Sequence, residues 1–376
     1  MRIGIDTRLK QETGVGRYIR NLLHWLKRID KKNEYIEINP PIPWHSISEQ
    51  IHLPRIISRY RVDLMHFPYF NVPLLYNKPF IVTIHDLIID KYPTGRASTY
   101  PAPVYWIKRF GYHTVLRHAV SGARAIIVPS NATRHELVRL HPEVLPEKIT
   151  VIYEGADQID ERTKERKNER TMIQFKSLLH TPYFLYVGNA YPHKNLERLV
   201  EAYSQLRIIW RSKIPLRGTN DELQEMKLIF VGKDDYFYRQ LQQRVSTSPV
   251  ADSIMFAGQV SDEELSWLYQ HAVATVVPSL AEGFGLPAIE AMQNGGIIAI
   301  SDVAAHREIC GDAPVYFDPM KTDDIIRKMR AIIIMDGSER KRRIQQGLAQ
   351  AKKYSWKKMA EQTVRIYEKC CMKTKS

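Results

Sequence analysis

Two glutamates eight residues apart, Glu282 and Glu290, bracket the stretch Glu-Gly-Phe-Gly-Leu-Pro-Ala-Ile-Glu. Gly283 and Gly285 flank Phe284, and a loop of this make-up lets backbone N–H groups approach a ligand closely. Pro287 suits the first position of a helix, where a missing N–H costs nothing. A helix N-terminus presents a partial positive charge that favours a phosphate. Glu290 would fall in the first helical turn. Two carboxylates at one strand-to-helix crevice can accept hydrogen bonds from several hydroxyls at once. The competing reading is structural, because a first-turn Glu is often only a partner of the helix dipole.

Other chemistry-bearing residues stand where short apolar runs end. Gly14-Val15-Gly16 follows the run 2–6 and opens a helix, so its backbone could contact a pyrophosphate. A dinucleotide fingerprint wants a third glycine where Ile19 stands, while Glu37 lies about where a ribose-binding acid would fall. A dehydrogenase therefore stays open on this stretch alone. His85-Asp86 follows the run 80–84, and a His at a strand end is either functional or a satisfied structural residue. Lys194 lies in Gly188-Asn189-Ala-Tyr-Pro-His-Lys-Asn195, where a point charge can sit against a diphosphate. The alternative is a solvated lysine. Val260 follows the run 253–256, just before Ser261, a suitable N-cap.

The carboxyl ends of parallel strands are where open α/β sheets bind ligands. Residues 2–6, 35–38, 64–67, 80–84, 125–128 and 149–152 read as short buried strands, with helices over 16–29 and 131–140 between them. The polar segment 160–170 reads as a connection between domains. Strands then restart at 183–187, 227–231, 253–256, 274–277 and 296–300, with a hydrophilic insertion over 211–226. Helices follow over 321–335 and 338–353, and a last one over about 356–371 has no domain of its own. The expected class is α/β, with domains at 1–165 and 166–353 and a C-terminal helix within 354–376.

The string Glu282-Gly-Phe-Gly-Leu-Pro-Ala-Ile-Glu290 resembles the Glu-x7-Glu signature of retaining, nucleotide-sugar-dependent glycosyltransferases of the glycogen-synthase-like family 4. Thr83-Ile-His-Asp-Leu87 and the segment from Gly188 to Asn195 are similar to stretches of its mannosyltransferase-like members. The resemblance implies the GT-B fold. Two Rossmann-like, doubly wound domains would face each other across a cleft, with the C-terminal helix packing back on the first. Glu290 would bind the nucleotide ribose. Glu282, with the N–H groups of Phe284, Gly285 and Leu286 in the Gly283 loop, would hold the sugar. Lys194 and the loop of Gly14 and Gly16 would meet the diphosphate, and Val260 would edge the nucleobase. His85 would lie near the 6-hydroxyl of the donor sugar, with Asp86 orienting it or meeting the acceptor. The Arg common in the family's motif is Asn189 here, so one cation expected on the diphosphate is missing or supplied elsewhere.

The implied reaction moves a hexose, first of all mannose from GDP-mannose, to a hydroxyl of a glycan or polyprenyl-diphosphate-linked acceptor with retention of configuration. Cell-surface polysaccharide or glycolipid assembly is the setting. No Asp-x-Asp occurs, so no metal and no cofactor are expected. Two other classes stay open: a sugar-nucleotide epimerase of the same fold and a non-enzymatic two-domain sugar-binding protein.

Composition narrows the setting. The 376 residues are 44% hydrophobic and 26% charged, as in soluble globular proteins. No apolar run reaches the ~18 residues of a membrane span. The N-terminus reads as a strand and not as a signal peptide. Three cysteines suggest no disulfide framework. The net charge of +14 comes with no nucleic-acid-binding module. Residues 104–110, Val-Tyr-Trp-Ile-Lys-Arg-Phe, mix aromatics with cations as an interfacial helix does at anionic headgroups. Packing of those aromatics in the core is the alternative. The expected location is cytoplasmic, peripheral on the inner face of the plasma membrane.

Overall fold

The computed structural model describes residues 1–12, 14–91, 102–156, 175, 178, 181–211 and 225–372. The chain divides into two compact units, Met1–Gly155 with Tyr354–Ser376, and Ala156–Lys353. The expected connection at 160–170, the boundary at 165 and most of the insertion 211–226 lie outside the described residues.

Unit 1 carries β1 (Arg2–Asp6), α1 (Gly14–Ile29), β2 (Glu34–Ile38), α2 (Ile47–Arg59), β3 (Leu64–Phe67) and β4 (Phe80–Thr83). It continues through α3 (Ile88–Lys91), α4 (Ala102–Gly122), β5 (Ile126–Val128), α5 (Asn131–Leu140) and β6 (Ile149–Val151). The strands are parallel, in the order β2-β1-β3-β4-β5-β6. β3, β4 and β5 are buried at every residue. Unbroken apolar runs suit strands covered by helices on both faces. His66 on β3 and Thr83 at the end of β4 are the polar exceptions within them. The helix α2 holds Pro54 in its interior, a residue that ordinarily breaks a helix. Ser46 caps it through the Glu49 N–H, and Leu53 and Ile57 bury against the core.

Unit 2 carries β7 (Tyr183–Val187), α6 (Leu196–Arg211), β8 (Lys227–Val231), α7 (Tyr236–Ser246), β9 (Ile254–Gly258), α8 (Asp262–His271) and β10 (Ala274–Val277). Then come α9 (Leu286–Gln293), β11 (Ile298–Ser301), α10 (Ala304–Cys310), β12 (Val315–Phe317), α11 (Thr322–Ile333) and α12 (Gly337–Ala351). Its strands are parallel in the order β12-β11-β10-β7-β8-β9. Edge strand β12 has three residues, too few to show a pattern in sequence.

The last helix, α13 (Trp356–Met372), belongs to unit 1 and packs on α1. Met359, Ala360, Thr363, Ile366, Tyr367 and Cys370 form its buried face, and Tyr18, Ile19, Leu22, Leu23 and Leu26 are buried on α1. Arg124 donates to the Cys370 carbonyl at 2.9 Å. Each large apolar side chain buried here contributes about 1.5–3 kcal/mol.

Candidate active site

In unit 2 the chain passes from β7 outward to β9, then returns to place β10 on the other side of β7. Strand order reverses at that point, which is where parallel sheets open a crevice. The loops leaving β7 and β10 meet there. Lys194 Nζ donates to Glu282 Oε1 at 2.6 Å, with only 15% and 11% of the two side chains exposed. Ser279 Oγ donates to the same oxygen at 2.7 Å. The Leu280 N–H donates to the His193 carbonyl at 2.8 Å, fastening one loop to the other.

Burial alone would push the Glu282 carboxyl up. The charges of Lys194, His306 and His193, with the Lys194 hydrogen bond, outweigh it and bring it down to about 2. The carboxylate is therefore ionised across the neutral range. His193 is pushed down to about 4 by burial and by Lys194, so it is neutral there. His306 is fully buried, and its Nδ1 lies 2.9 Å from the Ser301 carbonyl. Burial lowers it, against the raising charge of Glu282. Its other nitrogen lies under the glycine loop, 3.4 Å from where a Cβ on Gly285 would stand. Gly285 has φ +88, a conformation that suits only glycine with ease, and it is the N-cap of α9. No side chain caps that terminus.

The expected place of Glu290 is corrected. α9 starts at Leu286, one residue before Pro287, because the left-handed Gly285 turns the chain into the helix early. Glu290 is thus beyond the first turn. It is buried, and its Oε2 accepts from Tyr269 of α8 at 3.2 Å. Phe284 is buried within the loop, beside Gly283. Asn189 follows β7, where its side-chain oxygen faces the Tyr191 N–H at 3.5 Å and its carbonyl accepts from Tyr186. Val260 follows the edge strand β9 and precedes Ser261, which caps α8 in a capping box with Glu264.

Unit 1 holds the remaining expected residues. Gly14 is exposed at the start of α1, with open space where a side chain would be. Gly16 has a packing reason instead: a Cβ there would stand 2.7 Å from the Leu9 carbonyl. His85 follows β4, with Glu154 Oε1 2.9 Å from Nδ1 and the Pro68 carbonyl 3.0 Å from Nε2. Asp86 accepts from the Ile88 N–H at 3.1 Å. After β1, the buried side chain of Arg8 joins Asp6 at 2.6 Å and Glu49 at 2.7 Å, and lies 4.2 Å from the ring centre of Trp44. Glu154, His306, Ser279 and Arg8 were all missed by sequence reasoning. Each sits in a loop or helix turn at a strand's carboxyl end, so the rule that found His85 could have reached them.

Comparison with known proteins decides the family. A model described as Glycosyl transferases group 1 matches residues 168–350, and one described as Glycosyltransferase Family 4 matches residues 27–158. The chain is 30% identical over 316 residues to O-antigen chain mannosyltransferase B of Escherichia coli, covering 82% of this chain and 75% of that protein. The chain belongs to glycosyltransferase family 4. This family 4 glycosyltransferase is also 27% identical to the O-antigen chain mannosyltransferase RfbU of Salmonella typhimurium, over 74% of this chain and 67% of that one. Among solved structures it is similar to sucrose-phosphate synthase from Thermosynechococcus elongatus, with TM-score 0.75, 19% identity and 98% of each chain covered. It is likewise similar to HepE of Anabaena in complex with UDP and glucose, with TM-score 0.72, 13% identity, and 98% and 99% of the two chains covered. The two parallel six-stranded sheets are those of the GT-B fold.

Proposed function

We propose that this glycosyltransferase moves a hexose from a nucleoside diphosphate sugar to a hydroxyl acceptor with retention of configuration. The observation that carries the reading is the Lys194–Glu282 pair, 2.6 Å apart, where the strand order of unit 2 reverses. In glycosyl transfer the sugar carbon becomes oxocarbenium-like while the diphosphate leaves with negative charge. In this reading Lys194 and the N-terminus of α9 meet that charge, and preorganised charge of this kind is usually the largest catalytic contribution. Glu282, held ionised, accepts from sugar hydroxyls alongside the N–H groups of the loop 284–286. Glu290 takes the ribose hydroxyls, and Val260 edges the base. Gly14 approaches the diphosphate, His85 is assigned to the sugar and Asp86 to the acceptor. Retention follows from front-face attack guided by the leaving phosphate, without a metal ion. Chelation by EDTA should therefore leave turnover unchanged.

Mannose from GDP-mannose is the first-choice donor, because both relatives named above are O-antigen chain mannosyltransferases. A polyprenyl-diphosphate-linked acceptor is favoured by α4. Trp106, Ile107 and Phe110 are 63%, 73% and 76% exposed, so core packing does not account for them. Arg109 lies 5.7 Å from the Trp106 ring centre. No helix among the described residues is long and apolar enough to cross a membrane. Attachment from the cytoplasmic side through α4 fits these features and the charge of +14.

A panel of nucleotide sugars read by thermal shift tests the donor assignment. GDP-mannose should raise the melting temperature of the wild type and raise it less in Lys194→Ala. A panel in which no nucleotide sugar shifts the melting temperature would sink the reading.

A further inference from the structure

His85 has a partner that lies far away in sequence. Glu154 follows β6, is 4% exposed, and places Oε1 2.9 Å from His85 Nδ1. The other ring nitrogen lies 3.0 Å from the Pro68 carbonyl oxygen. A carbonyl accepts only, and so does an ionised carboxylate. A neutral imidazole carries one N–H, so it would set a lone pair against one of these oxygens. The ring with both protons satisfies the two contacts at once. Its orientation is held as well. Tyr18 of α1 meets it edge-on, with ring centres 4.8 Å apart. The Tyr18 hydroxyl and His66 Nε2 lie 3.3 and 2.8 Å from Thr83 Oγ1 on β4.

The loop bearing Glu154 is clamped by the returning C-terminal segment. A Cβ on Gly155 would stand 2.2 Å from the backbone nitrogen of Trp356. Tyr153 packs edge-on against Tyr354, with ring centres 5.5 Å apart.

We propose that Glu154 is a positioning residue for the transfer reaction, holding His85 as a doubly protonated imidazolium whose Nε2–H can only donate. The proposal rests on the reading that His85 meets the donor sugar. A ring so held can release the Pro68 carbonyl and give the same hydrogen bond to a sugar hydroxyl oxygen, with no change of protonation. The titratable groups facing the ring are Glu154, Asp86 on its own loop, Tyr18 of α1 and His66 of β3. Burial opposes the charge on His85. The hydrogen bond and charge of Glu154, the charge of Asp86 and the Pro68 carbonyl outweigh it and raise His85 from its ordinary value. His66 is pushed down to about 3, chiefly by burial, so it stays neutral and does not compete for the charge.

Ring nitrogen-15 resonances test the pair, and kinetics test its use; His85→Gln assigns the resonances. Both nitrogens of His85 should be protonated at neutral pH in the wild type. Glu154→Gln keeps the shape and should lower the midpoint for losing the second proton by about 1–3 pH units, whereas Glu154→Asp keeps the charge. Turnover should fall about tenfold in Glu154→Gln, with the donor KM within about threefold, and recover in Glu154→Asp. In a His85→Gln background, Glu154→Gln should add nothing. A neutral His85 ring in the wild type, or a ring indifferent to Glu154→Gln, overturns the proposal. If the ring loses its charge as expected but His85→Gln turns over like the wild type, the part of His85 in the reaction falls. The positioning role of Glu154 then falls with it, while the ion pair itself stands.

Discussion

Glu282 takes hydrogen bonds from Lys194 and Ser279 on one oxygen, so the charge of the crevice depends on its ionisation. Its folded-state value, about 2, lies below the ordinary 4.5. The ionised carboxylate therefore stabilises the fold fully above about 4.5, and that stabilisation fades as pH falls toward about 2. Glu282→Gln should cost about 1–3 kcal/mol near neutrality. Melting curves of the two proteins should stay apart down to about pH 4.5 and converge below it. A gap that widens on acidification would contradict the sign. Glu290, buried against Tyr269, makes a different prediction. Glu290→Ala should weaken nucleoside diphosphate binding by about 1.5–3 kcal/mol by calorimetry, and Tyr269→Phe by less. Glu282 and Lys194 were legible in the sequence because each stands in a glycine- or proline-marked loop after an apolar run. That they pair was not legible, since 88 residues separate them. The pairing of Glu154 with His85 was hidden for the same reason, since 69 residues separate them, although the place of Glu154 after β6 could have drawn notice to it.

At the scale of elements, the strands were read well because parallel strands covered on both faces are unbroken apolar runs. Tyr183–Val187 and Ala274–Val277 are found where that pattern put them. The start of α9 was misread by one residue, because only the left-handed Gly285 shows where the helix begins. Gly285→Ala should strain that turn and push a methyl to within 3.4 Å of His306. A loss of about 1–2 kcal/mol in chemical denaturation, with weaker donor binding, is expected. The side chains of α4 make the membrane prediction. Cosedimentation with anionic vesicles should be strong at low salt, weak at high salt and weak with neutral vesicles, as headgroup attraction is screened. Lys108→Glu/Arg109→Glu should abolish it with donor affinity intact. Equal, negligible pelleting with both vesicle types would remove the membrane from the account.

For the whole molecule, the α/β class and two sheets were legible from the restart of strand-helix alternation after residue 182. The return of α13 to unit 1 came from family resemblance and not from any residue pattern, since an amphipathic helix does not name the face it covers. Its buried face on α1 supplies about 1.5–3 kcal/mol for each large apolar side chain. That sum is comparable to the ~5–15 kcal/mol stability of a whole domain. A chain ending at Lys353 should therefore lose the calorimetric transition of unit 1 and keep that of unit 2. The central claim is acceptor-dependent transfer of a hexose, and the measurement that meets it most directly is GDP release from GDP-mannose with and without a mannosylated polyprenyl diphosphate. The account predicts GDP and an acceptor lengthened by one hexose in equal amounts, little release without acceptor, and loss of both products in Lys194→Ala. Release of free sugar or an epimer at the same rate without acceptor, or no consumption of any nucleotide sugar, would contradict it.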